Sequence, residues 1–369
     1  MQLRSRPVVI GAGITVLAII VVVGALLIVG FGRPAAQSPR ASPTPSPSSA
    51  VSPTPAPAAV CPLNGEPLTK AALAQRTALS VQIENNPAAR PAAGLSLADL
   101  VIEAPVEGDT TRFAAVYLCQ PVIGKVGPVR SARYFNVDLW QQIHTLTLHF
   151  GAGTKILDAI AAANMPDVNG LTGGLPEFAR IGPRPAPHNV YLDVNAVRAA
   201  IAAGGALADL AARTGKTRSP FVFDAQASLP AGTRVGSVTI QTNDFWRFGW
   251  KYDAASQRWS RSDGGEQIID PLTKKAVTAR SIMVQIVTET ILVNELDPGG
   301  YPRHLQHLVG SGKGVLYVDG TRHAVRWERP AAADLTTWFY TDSGAPVILP
   351  PGQVWWEIVP VGTRISESP

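Results

Sequence analysis

Three features of the sequence predict an α+β protein, in which one N-terminal transmembrane helix precedes a mixed α/β ectodomain and a mostly β C-terminal domain. Residues 8–31 form an uncharged apolar run. From Cys61 to about Lys216, strand-like and helix-like patterns alternate. Beyond residue 218 short strands and turns take over, and seven of the eight tryptophans lie there. The expected division is 1–33 for a cytoplasmic stub and membrane anchor, 34–60 for a linker, 61–217 for the α/β domain, 218–360 for the β-rich domain and 361–369 for a tail.

As a helix, the run from Val8 to Phe31 would be about 36 Å long, enough to cross a hydrocarbon core. A cleavable signal has a shorter apolar stretch and a small-residue cleavage site, so the reading is an uncleaved anchor. Arg4, Arg6 and the terminal amine favour a cytoplasmic N-terminus against Arg33 and Arg40, leaving the bulk of the chain outside a single-pass anchor. Residues 34–60 contain eight prolines among Ser and Ala. Such a segment cannot bury a core and reads as an extended spacer reaching about 80 Å from the membrane.

The formal charge of +5 misleads. Residues 1–65 contain Arg4, Arg6, Arg33 and Arg40 and no acid; of 32 basic residues, 28 remain downstream to face 27 acids. The folded part is nearly neutral, which argues against nucleic acid as a partner. The expected partners are the membrane, through the N-terminal helix, and an anionic wall polymer or an envelope protein. Cys61 and Cys119 are the only cysteines. An oxidising outer compartment allows them to pair, which would contribute about 4 kcal/mol by the chain-entropy estimate. The other reading is that Cys119, in the apolar "FAAVYLCQ", is a buried free thiol.

Within the first domain "LSVQIEN" (79–85), "ADLVIEA" (98–104) and "TTRFAAVYLCQ" (110–120) read as strands, the last two joined at Glu107-Gly108-Asp109. "ARYFNVDLWQQI" reads as a helix with Ser131 as its N-cap. "TLTLHF" is a strand that leads through Gly151-Ala152-Gly153 into the helix "TKILDAIAAAN". The helix from Asp193 to Arg213 is weakened at Gly204-Gly205. In the second domain "GVLYVDGTRHAVRW" is a hairpin about Asp319-Gly320, and "GSGKG" (310–314) before it reads as a loop. The tryptophans suit core packing, with a sugar-binding platform as the rarer use.

The candidate chemistry gathers around "VGPVRSAR". Arg130 and Arg133 fall at a helix N-terminus, where the macrodipole disfavours cations, so an anion should face them. It is either internal, from Glu103 or Glu107, or a phosphate or carboxylate ligand. Arg112 opens the neighbouring strand and would join the site. His149, at a strand's carboxyl end, and His188-Asn189, in a loop, could complete a pocket, and each could equally be a satisfied structural residue. Glu103 and Glu107 are the candidates for general acid–base catalysis, with solvated or structural carboxylates as the alternative. Ser131 lacks the setting of a nucleophile. No metal set and no cofactor motif is evident: "GAGTK" is neither a dinucleotide fingerprint nor a P-loop, and His304 and His307 lack a third ligand.

The stretches "CPLNGEP", "ENNPAARPAAGLSLADLVIEAPVEGDTTRF", "VGPVRSAR", "HFGAG", "APHNVY", "YDAASQRWSR" and "VILPPGQVWWEIVP" together resemble the YerB-like family of bacterial lipoproteins. The resemblance spans nearly all of the chain beyond the linker. It implies an envelope location and two domains, the second rich in strands, and it brings no catalytic assignment. Many members carry a lipid anchor, whereas this chain has an apolar run suited to spanning.

Three functional readings follow. The first is an envelope module that binds an anionic group through Arg112, Arg130 and Arg133, with His149, His188 and Asn189 around it. The second is an envelope hydrolase or transferase using Glu103 or Glu107. The third is an assembly scaffold whose arginines pair only with internal carboxylates.

Overall fold

The computed structural model describes residues 59–369 except 174, 244–245 and 332–335. The expected membrane helix at 8–31 and all but the last two residues of the expected linker at 34–60 lie outside the described residues. Among the described residues no single helix is long and apolar enough to cross a membrane.

The first half supplies β1 (Ala78–Glu84), β2 (Leu100–Val106), β3 (Thr110–Tyr117), α1 (Tyr134–Ile143), β4 (Thr145–His149), α2 (Thr154–Ala162), β5 (Asp167–Asn169), α3 (Val194–Ala203) and α4 (Ala206–Ala212). β2 and β3 form the expected hairpin, turned by Gly108 and Asp109 at positive φ. The predicted long helix is two, broken at Gly204 and Gly205, both also at positive φ. After α4 the described residues contain strands and turns but no α-helix. A mixed α/β half followed by a mostly β half is therefore the observed fold class.

The two halves share a sheet. Among the described residues it holds eleven strands, and its main path runs 338–341, 321–329, 310–318, 281–287, 354–360, β2, β3, β1, β4, β5. The strand Val354–Pro360 lies parallel to Ser281–Val287 on one side and parallel to β2 on the other. Its sequence "VWWEIVP" suits that position, because a parallel strand covered on both faces needs a near-continuous apolar run. Alternation sends successive side chains to opposite faces. Trp355 packs against Trp250 and Phe113 on one face, while Trp356 meets Phe221 and Phe339 on the other. A smaller sheet built from 237–241, 247–253, 258–263, 266–267 and 364–368 covers the Trp355 face. On the Trp356 face α1 packs with Phe135, Leu139 and Ile143.

Most of the tryptophans are core residues. Trp250, Trp259, Trp355 and Trp356 are fully buried, while Trp338 is 44 % exposed. "GSGKG" is not a loop but the first part of the strand Gly310–Val318. Its glycines permit close approach: a Cβ at Gly314 would lie 2.6 Å from the Val284 carbonyl oxygen, and one at Gly312 2.6 Å from the Trp327 indole. Cys61 and Cys119 form the disulfide, with Cα atoms 6.0 Å apart. Beside it the buried Asp99 accepts from the Leu118, Cys119 and Gln120 N–H groups, and burial pushes its carboxyl up to about 6.

Because one strand joins the halves, truncating it should unfold both together. Trp356→Ala should cost about 3–5 kcal/mol, as for other buried aromatic truncations. Chemical denaturation followed by tryptophan fluorescence and by far-ultraviolet circular dichroism should give one coincident transition at lower denaturant. A surviving plateau from an independently folded half would contradict this architecture.

Candidate functional site

The site grows from the polar side of β1. Leu79, Val81 and Ile83 face one core, so Ser80, Gln82 and Glu84 face the other side of the sheet, beneath α1. Glu84 pairs in register with Arg112 at the start of β3, which brings a carboxylate and a guanidinium onto that face. The segment Val129–Arg133 crosses it, held by Arg130 N–H donating to Gln82 O and Phe150 N–H donating to Arg130 O. The helix α1 begins at Tyr134, not after Ser131. Its cap is Arg133, whose N–H donates to the Asn136 side chain, and the Ser131 hydroxyl instead donates to Phe150 O.

Glu107, in the β2–β3 turn, receives both Arg133 Nε, at 2.6 Å, and Arg133 Nη2. It also receives Arg303 Nη1 at 3.0 Å, contributed by the strand Pro302–Gln306 of the second half. Burial pulls the Glu107 carboxyl up, but the Arg133 guanidinium outweighs it and holds the group below its ordinary value. Glu84 meets Arg130 Nε and His188 Nδ1, each at 3.0 Å. Arg303 lies against the start of α2, where a Cβ at Gly153 would come within 2.6 Å of its guanidinium.

Arg112 is the unusual member. It is 4 % exposed, and its Nε and Nη1 have no hydrogen-bond partner. Burial pushes its guanidinium down to about 9; Arg133 and Arg130 push in the same direction, and Glu84 and Glu107 oppose them. The cluster thus sets the guanidinium groups of Arg112, Arg130, Arg133 and Arg303 against the carboxylates of Glu84 and Glu107. Positive charge is in excess by two, with His188 alongside. The cluster reaches solvent at Arg130, whose side chain is 28 % exposed, and at His188.

The other expected residues lie apart from it. His149 is fully buried, with Nδ1 at 2.8 Å from Gly151 O and Nε2 at 2.8 Å from Asp167 Oδ2, so it fixes the β4–α2 turn to β5. Asn189 donates to Arg184 O and accepts from Arg180, tying its own loop together. Glu103 does not converge with Glu107. It points to the opposite face of the sheet, where Arg261 Nη2 reaches it at 2.7 Å and Arg261 Nη1 reaches Glu357 at 3.1 Å. Glu103 and Glu357 are register neighbours on parallel strands, and all three side chains are 1 % exposed. Burial, and then the nearby Glu103, hold Glu357 well above the usual carboxylate range. Glu84, Arg303, Arg261 and Glu357 were absent from the sequence-based candidates. Only Glu84 had a local signal, as the alternation partner of Gln82 at a strand end.

Fold and clusters define a two-part α+β protein whose halves share one sheet and whose buried polar centres pair arginine with glutamate. Residues 63–206 match "Protein of unknown function (DUF3048) N-terminal domain", and residues 237–356 match the C-terminal domain of the same family. The chain belongs to that family. It is 29 % identical over 297 residues to "Putative lipoprotein YerB" of Bacillus subtilis, covering 79 % of this chain and 84 % of that protein. It is also similar to the crystal structure of the YerB protein from Bacillus subtilis, with TM-score 0.69 and 27 % identity, over 83 % of this chain and 99 % of the other. The likeness first read from "CPLNGEP" and "VGPVRSAR" therefore extends through both halves.

Neutralising Glu107 leaves Arg133 and Arg303 buried without their shared counter-charge. Glu107→Gln should lower unfolding stability by about 3–5 kcal/mol, the usual cost of removing one partner from a buried ion pair. Equilibrium urea unfolding measures it, and a change below about 1 kcal/mol would show that the pairing is only superficial.

Proposed function

We propose that this chain is a membrane-anchored envelope protein whose outer domain binds an anionic group, such as a phosphate or carboxylate on a wall polymer or its precursor. In this reading residues 8–31 form the anchor, 34–60 the spacer, and Arg112, Arg130 and Arg133 receive the anion. Arg303 steadies the site through Glu107, and His188 adjusts Glu84. The apolar run, the proline-rich segment, the disulfide and the word "lipoprotein" in the relative's name support the location.

One observation carries the binding proposal: Arg112 is a buried cation with unused donors and surplus positive neighbours. Leaving such a group uncompensated is costly, and a fold that keeps it gains from a ligand that supplies the missing charge. Guanidinium groups suit this task because their planar fork meets carboxylate and phosphate oxygens bidentately. With its guanidinium at about 9, Arg112 remains cationic at neutral pH.

The test exploits a conflict between stability and binding. In anion-free buffer Arg112→Met should be as stable as the wild type or more so, since it removes an unpaired buried charge of similar volume. Inorganic phosphate and pyrophosphate should raise the melting temperature of the wild type and leave Arg112→Met unmoved. An Arg112→Met variant that is strongly destabilised yet keeps the full anion response would overturn the proposal.

A further inference from the structure

The opposite face of the sheet contains a cavity whose chemistry differs from that of the arginine cluster. Its volume is about 360 Å³, within the range of small-ligand sites. It lies between the loop after β1 and the edge of the smaller sheet. Ala92, Leu95, Phe113 and Ile268 give it apolar walls, and Asn85 and Arg261 contribute its polar lining. The Arg90–Asp263 ion pair joins the two sides of the cavity, and the Arg90 guanidinium lies 4.2 Å from the centroid of the Trp246 ring.

The buried charges here have internal partners, in contrast to Arg112, and the exposed Glu266 adds a carboxylate at the rim. Arg90 is paired with Asp263, and Arg261 with Glu103 and Glu357. The Asn85 amide is also committed, donating to Glu103 and Thr111 and accepting from Arg90. One donor is left over: Arg261 Nε–H, on a side chain 1 % exposed, has no partner. Its guanidinium is enclosed by aromatic rings, with Phe248 at 4.1 Å and Trp355 at 4.7 Å. A carboxylate entering this cavity would meet Glu266 and Asp263 on its lining, with Glu103 and Glu357 close by on Arg261, and a cation would meet Arg261. We propose that this cavity binds a small neutral ligand with a flat or branched apolar body and a carbonyl oxygen that accepts from Arg261. The ligand would bridge both halves of the protein, because the walls come from 85–113 and from 261–269.

Three probes of one shape and different charge test the assignment: benzamide, benzoate and benzamidinium. With the purified full chain, saturation-transfer NMR and quenching of tryptophan fluorescence should show benzamide binding at least about tenfold more tightly than either charged analogue. Ile269, at the rim, is 42 % exposed, so Ile269→Trp should narrow the cavity without disturbing the fold and weaken benzamide by about tenfold. Gln267→Trp, at an exposed rim position, provides a second obstruction. Both variants should keep the wild-type melting response to phosphate, since that site lies on the other face. Absence of benzamide binding, equal binding of the three probes, or benzamide affinity unchanged in both variants would overturn the proposal.

Discussion

The structure depends on one strand near the end of the chain, Val354–Pro360, lying between two parallel neighbours from different halves of the sequence. Parallel neighbours require long connections, and a strand buried on both faces must satisfy its whole backbone through them. Two consequences follow. Glu357 is brought beside Glu103, so that a single arginine serves both carboxylates. The second half is also held close enough to send the 289–306 ribbon over the first, delivering Arg303 to Glu107 and Glu295 to Tyr134. Arg329 secures α1 from the same side through Asp138 and Gln141.

The two polar centres divide along the faces of that sheet. Beneath α1, guanidinium groups outnumber carboxylates, and the excess falls on Arg112, deeply buried with spare donors. On the Trp355 face Arg261 serves both Glu103 and Glu357 and is shielded by aromatic rings. A buried cation with spare donors favours a counter-ion, whereas paired charge beside apolar walls favours a neutral guest. Alternation along β1, β2 and β3 produces this separation. Glu84 and Arg112 face one way, and Glu103, Thr111 and Phe113 face the other.

Local features of the fold were legible in the sequence. Glu107-Gly108-Asp109 and Asp319-Gly320 marked their hairpins, and Gly204-Gly205 marked the helix break, because turn chemistry is set by neighbouring residues. The joining of the halves was not legible, since pairing 354–360 with both 281–287 and 100–103 leaves no short-range signature. The same limit applies to the site. Arg130 and Arg133 stood out through their spacing, but Arg303 is remote in sequence from Glu107, the carboxylate it pairs with. Ser131 was taken as the cap because serine favours that role. Arg133 holds that position instead, its N–H donating to the Asn136 side chain, while the Ser131 hydroxyl donates to Phe150 O. Glu103 and Glu107, four residues apart, were both acid–base candidates, and their spacing did not show whether they converge. Glu103 belongs to the strand and Glu107 to the turn beyond it, and they serve different clusters.

The central claim is that the surplus charge at Arg112 awaits an external anion. Crystals soaked in arsenate, with data collected near the arsenic absorption edge, test it most directly. An anomalous peak is expected within hydrogen-bond distance of the Arg112 guanidinium, flanked by Arg130 and Arg133. A clean map at that position, with the Arg112 donors bonded to Glu84 or Glu107, would contradict it and leave the cluster as an internal brace.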